Sequence, residues 1–111
     1  MDMHEMQKEV DAYISQFKTG YFSPLANLAR LTEEVGELAR EINHSHGEKK
    51  KKSTEEDNTI EAELGDNLFV LICLANSVDI DLNQSFENTM QKFNTRDKDR
   101  FERIDENSKE D

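Results

Sequence analysis

Little in this sequence can make a turn. Proline occurs once and glycine four times in 111 residues, which argues against many short strands joined by tight turns and points to long helices. A single cysteine, Cys73, excludes an internal disulfide. Its place in an apolar run makes it a small packed hydrophobe. Long apolar stretches are missing too. The longest, Leu68 to Ala75, falls far short of the roughly 18 residues of a membrane span. The first ten residues, MDMHEMQKEV, lack the basic-then-apolar pattern of a secretion signal, so the expectation is a cytoplasmic protein with no membrane association. Basic residues number 14 against 25 acidic ones, a formal net charge of −11. Nucleic acid is not an expected partner for such a surface, because phosphate backbones need a basic one. An anionic ligand could be held only with cations intervening.

What remains is amphipathic. With 34% hydrophobic and 35% charged residues, the chain suits a single domain of helices, each with one buried stripe. Met3, Met6, Val10, Tyr13, Ile14 and Phe17 recur at spacings of three and four and predict a first helix over roughly 3–18, ended near Gly20. Ser23 and Pro24 open a second helix as N-cap and first helical residue. Its stripe is Leu28, Leu31, Val35, Leu38, Ala39 and Ile42, with Gly47 just past its end. Residues 48–58 are polar and include Lys49 to Lys52; they read as a solvated connection rather than a basic arm over a polyphosphate. A third helix is expected over about 55–77, apolar all round in its second half and therefore buried on every side. Asp81 caps a fourth, with the stripe Leu82, Phe86, Met90 and Phe93. The fold class expected is all-α, a four-helix bundle. One domain spans 1–111, with its core over about 3–96 and a frayed tail from about 101.

Two groups of carboxylates carry the chemistry. Glu34 and Glu37 are three apart on the second helix and differ by about 60° around its axis; Glu33 points further away. Glu63 and Asp66 form a matching pair on the third helix, and their side continues into Val70 and Cys73, which are apolar. Asp66 is thus expected at the mouth of a buried helix, where a lone ionised carboxylate is costly. Two such pairs on packed helices offer four oxygen-bearing side chains around one point, the donor set of a hard divalent cation such as magnesium. The competing reading of each pair is an exposed acidic face balanced by Arg30 and Arg40.

The order Glu33-Glu34-x-x-Glu37, then Glu63-x-x-Asp66, then Lys92-Phe93-x-x-Arg96 resembles the EExxE, ExxD and KFxxR segments of the MazG-like, all-α nucleotide pyrophosphohydrolases, over about residues 25 to 100. The likeness is to the short single-domain bacterial members. The resemblance implies magnesium, with manganese as a substitute, on Glu34, Glu37, Glu63 and Asp66. It also implies phosphate contacts from Lys92 and Arg96, and a homodimer or homotetramer. The reaction implied is hydrolysis of a nucleoside triphosphate to the monophosphate and pyrophosphate, with Glu33 or Glu37 orienting the water. Asn67 departs from the family's usual apolar residue after the aspartate. Lys92 and Arg96 also fit a second reading, as cations complementing a helix C-terminus.

Three alternatives stand beside this one. A dUTP- or phosphoribosyl-ATP-specific hydrolase of the same superfamily would share the acids. An acidic, non-catalytic interaction module would explain the charge. A di-iron bundle needs Glu-x-x-His on two helices; Glu41-x-x-His44 supplies one, and neither His4 nor His46 supplies the other.

Overall fold

The computed structural model describes residues 1–47 and 59–104, and these form four helices and no strand. The capping residues set the helix starts. Helix α1 (Met3–Ile14) opens on a capping box in which Asp2 accepts from the Glu5 amide while the Glu5 side chain accepts from that of Asp2. It stops four residues short of the expected end. The Ser15 hydroxyl donates to the Asp11 carbonyl at 2.7 Å, and the amides of Gln16 and Phe17 turn back to Tyr13 and Ile14, tightening the last turn. Gly20, at φ 65°, then redirects the chain at little steric cost. Helix α2 (Pro24–His46) begins as expected, with Ser23 accepting from the Ala26 amide and Pro24 in the first turn, and Gly47 caps its end.

Helix α3 (Ile60–Ser77) is capped by the Thr59 hydroxyl; its expected start at 55, like the lysine run Lys49 to Lys52, lies outside the described residues. Asp81 caps α4 (Leu82–Thr95) as expected, accepting from the amides of Asn83 and Gln84. Residues 101–104 are exposed and not helical, and the rest of the expected tail lies outside the described residues.

Helices α2 and α3 lie antiparallel. Arg30 stands over Phe69, and Asn67 reaches the Glu34 backbone. Helix α1 lies against α3, where Val10 meets Ile72 and Cys73, flanked by Met6, Ile14, Tyr21, Phe69 and Leu82. Helix α4 packs against α1. Gln7 ties this corner together. Its side-chain amide donates to Asn76 Oδ1 and the Ile80 carbonyl, both at 2.8 Å, and its Oε1 accepts the Leu82 amide.

Three expectations about burial are corrected. Helix α3 is not covered all round: Val70, Ile72 and Cys73 are buried, but Leu64, Leu68 and Leu71 are exposed. On α2 the residues that go inside are Asn27 and Glu41, while Leu28, Val35 and Ile42 of the apolar stripe stay exposed. On α4, Phe86, Met90 and Phe93 are exposed and only Leu82 joins the core. The reason is common to all three. Within one chain α2 turns its acidic edge, not its apolar stripe, toward α3, so the four helices do not close around a shared apolar centre. No described helix is long and apolar enough to cross a membrane.

Candidate active site

Helix geometry brings the acids together. On α2, Asn27, Arg30, Glu34, Glu37 and Glu41 follow one another at spacings of three and four and share a face. On α3, Glu63, Asn67 and Val70 do the same, with Asp66 beside Asn67 at the edge of that face. Antiparallel packing sets Glu63 beside Glu34 and Glu37, and one carboxylate oxygen from each of the three lies within 4.8 Å of the others. Glu63 is 2% exposed, and Oε2 of both Glu34 and Glu63 is buried without a hydrogen-bond partner among the described residues. Burial pushes the Glu34 carboxyl above the usual range. The charges of Glu37 and Asp66 and a hydrogen bond to Glu37 push it the same way, while Arg30 pulls it down. Burial likewise raises Glu63, followed by the charges of Glu37, Asp66, Glu34 and Glu41.

Asp66 is corrected in one respect. It is exposed on α3 rather than set at the mouth of a buried helix, because its turn of α3 is open to solvent. Its charge still reaches both buried glutamates. Glu33 is exposed and outside the cluster. Lys92 and Arg96 are exposed on α4. Lys92 sits over the Phe93 ring, and Arg96 makes an ion pair with Asp97 at 3.1 Å. Neither bonds to the acids.

Two residues matter more than sequence reasoning foresaw. Asn67, the departure from the family pattern, donates from Nδ2 to the backbone carbonyls of Glu34 at 3.1 Å and Glu63 at 2.7 Å. It clamps the two acid-bearing helices in register, a role that an apolar residue could not take. Arg30, weighed only as a counter-charge, lies where the acids meet a cavity of about 510 Å³. Tyr13, Phe17, Tyr21, Phe22 and Phe69 give that cavity aromatic walls. Tyr21 is fastened there by donating to Asp11 and accepting from Asn76. Burial and the bond to Asp11 push its hydroxyl up to about 12, so it stays protonated.

The raised carboxyls fix how metal-free stability depends on pH. A carboxyl whose folded pKa exceeds its unfolded one stabilises the fold below the unfolded pKa and loses that contribution as pH rises through the folded value. Glu63→Gln removes one such group. In chelator, the stability of Glu63→Gln relative to the natural chain is therefore expected to grow as pH rises from mildly acidic to neutral. Urea unfolding at several pH values measures it, and a constant difference would show that Glu63 ionises as freely folded as unfolded.

Known proteins resemble this chain over most of its length. The family model described as the MazG nucleotide pyrophosphohydrolase domain matches residues 22–101. The uncharacterised protein YpjD of Bacillus subtilis (strain 168) is 64% identical over 104 residues, covering 94% of both chains. A crystal structure of YPJD from Bacillus subtilis, described as a candidate pyrophosphatase, superposes with a TM-score of 0.78 at 63% identity, covering 86% of this chain and 97% of that one. A Bacillus-conserved MazG protein, described as a nucleotide pyrophosphohydrolase, gives 0.76 at 63% identity, over 89% of this chain and 96% of its own. With the family model matching from before α2 to beyond α4, the chain belongs to the MazG nucleotide pyrophosphohydrolase family and is a hydrolase of phosphoric anhydride bonds.

Proposed function

We propose that this protein hydrolyses nucleoside triphosphates to monophosphate and pyrophosphate, using magnesium held by Glu34, Glu37, Glu63 and Asp66, as part of keeping the nucleotide pool clean. The observation that carries this reading is the cluster of three carboxylate oxygens, two of its side chains each with a buried Oε2 that nothing among the described residues satisfies. Like charges so placed repel one another, and a divalent cation both satisfies the oxygens and offsets the burial. Manganese suits the same oxygen donors. When bound, the ion neutralises the polyphosphate and makes the α-phosphorus more electrophilic.

The chain's own groups do the rest. Asn67 holds α2 and α3 at the spacing the acids need. Glu37 is better placed than Glu33 to accept a proton from the attacking water, since it belongs to the cluster and Glu33 does not. The aromatic cavity receives the nucleoside, the kind of mostly apolar pocket that fits a planar base. Lys92 and Arg96 serve as phosphate ligands in this reading only where an assembly or a shift of α4 brings them to the acids.

The product test is direct. Triphosphate labelled at the β and γ phosphates, incubated with the protein and magnesium, is expected to give labelled pyrophosphate and unlabelled monophosphate. Release of orthophosphate and diphosphate would overturn the proposal. A parallel magnesium titration is expected to raise the melting temperature, with manganese acting likewise.

A further inference from the structure

The aromatic cavity and the acid cluster lie in succession along the α2/α3 seam, and one side chain stands at their junction. Arg30 precedes Glu34 by one turn on the same face of α2. It is the one charged residue lining the cavity. Its charge acts on Glu34 on one side and on Cys73, in the cavity wall, on the other. Although acids lie close by, the guanidinium makes no hydrogen bond or ion pair among the described residues. It stands over the face of Phe69, at 5.6 Å from the ring centroid. Stacking of this kind fixes the plane of the fork while leaving its N–H donors free. A half-buried arginine held by a ring, with its donors unspent, is ready for an anion.

We propose that Arg30 binds the α-phosphate of the nucleotide and carries part of the charge that builds on it during hydrolysis. The proposal rests on the nucleotide reading above and adds a named residue to it. A ligand with its base in the aromatic cavity and its terminal phosphates at the acid cluster must pass the guanidinium, and the phosphate at that point is the one joined to the nucleoside. In the reaction a water oxygen forms a bond to the α-phosphorus. The bond from that phosphorus to the bridging oxygen breaks, and its electron pair leaves with pyrophosphate. The water proton passes to a carboxylate of the cluster and then to solvent. Negative charge on the non-bridging α-oxygens is highest in between, and a fork of N–H donors aimed at two of them stabilises that moment more than the ground state.

The experiment compares Arg30→Met and Arg30→Lys with the natural chain in three measurements: turnover of a nucleoside triphosphate, calorimetric affinity for the matching monophosphate and for the uncharged nucleoside, and the magnesium-induced melting shift. Arg30→Met is expected to lower kcat by on the order of 10²-fold and to weaken the monophosphate by about tenfold or more. Nucleoside affinity and the magnesium shift should stay as they were. Arg30→Lys should recover part of the monophosphate affinity and little of kcat, because it returns the charge without the fork. If both variants instead lose nucleoside affinity and melt early, the arginine is a packing residue and the proposal is overturned. It is overturned equally if Arg30→Met keeps kcat and monophosphate affinity within a few-fold. A natural chain that neither responds to magnesium nor releases pyrophosphate overturns the nucleotide reading itself, which the Arg30 variants alone cannot do.

Discussion

Glu63→Gln is expected to eliminate hydrolysis and, at the same time, to make the metal-free protein harder to unfold. Glutamine keeps the shape of a side chain that is 2% exposed but removes the charge that four neighbouring acids oppose. In the absence of metal that charge is a liability, because it is buried, unpaired at Oε2 and surrounded by its own sign. In the magnesium site proposed above it would be a ligand, and losing a ligand from such a site costs on the order of 10²- to 10³-fold in metal affinity or turnover. The magnesium-induced melting shift should collapse in the same variant. Asp66→Asn supplies the contrast: activity should fall there too, while metal-free stability should barely change, since that carboxylate is exposed. Turnover assays and melting curves with and without chelator give all four numbers. A Glu63→Gln protein with near-natural turnover would remove Glu63 from the chemistry.

The second large effect concerns assembly. Leu28, Val35 and Ile42 on α2 and Leu64, Leu68 and Leu71 on α3 are exposed. Taking about 100° per residue from the line where the helices meet, both rows fall on the same side of the antiparallel pair. The acids and Arg30 turn to the other side, toward α1. The result is an apolar plateau two helices wide. We propose that a second copy covers it, plateau to plateau, closing the four-helix arrangement that one chain leaves open. Helix α1 spends Met6, Val10 and Ile14 of its own stripe on α3. Leu71→Lys is expected to weaken the dimer by on the order of 10²-fold or more, because a two-fold interface meets the substitution twice and each buried leucine contributes about 1.5–3 kcal/mol. Sedimentation equilibrium measures it. The natural dimer should tighten with salt, which screens the repulsion between two chains of net charge −11. A natural chain that stays monomeric at micromolar concentration sinks the proposal.

The two surfaces show what sequence does and does not reveal. Local chemistry was legible: Ser23 with Pro24, Gly47 and Asp81 mark helix ends because capping depends on near neighbours alone. That Glu34 and Glu37 share one helix side was legible for the same reason, as it needs only the helical repeat; that Glu63 joins them while Asp66 stays outside the cluster of oxygens was not. Which face meets which helix was not. Periodicity gives the direction of the apolar stripe on α2 and says nothing of its partner, so the stripe was assigned to a core that the acids and Asn27 in fact approach more closely. Asn67 was legible only as a departure from the family pattern; its two carbonyl partners, one of them 33 positions away in the chain, are visible only in the fold. Arg30 does act on Glu34 as the counter-charge weighed from the sequence, but its place over Phe69 was not legible, because that ring is on another helix.

Cys73 gives the cavity a second use. It is the chain's one thiol, 3% exposed, and it sits in the wall of the aromatic cavity, where burial pushes its ionisation up. Alkylating reagents attack thiolates, and this protein offers them one sulfur, in the wall of that cavity. The rate of that modification is expected to fall when a ligand fills the cavity, which makes it a footprint of the ligand. Candidate bases can thus be ranked by the protection they confer, with no turnover and no label on the ligand.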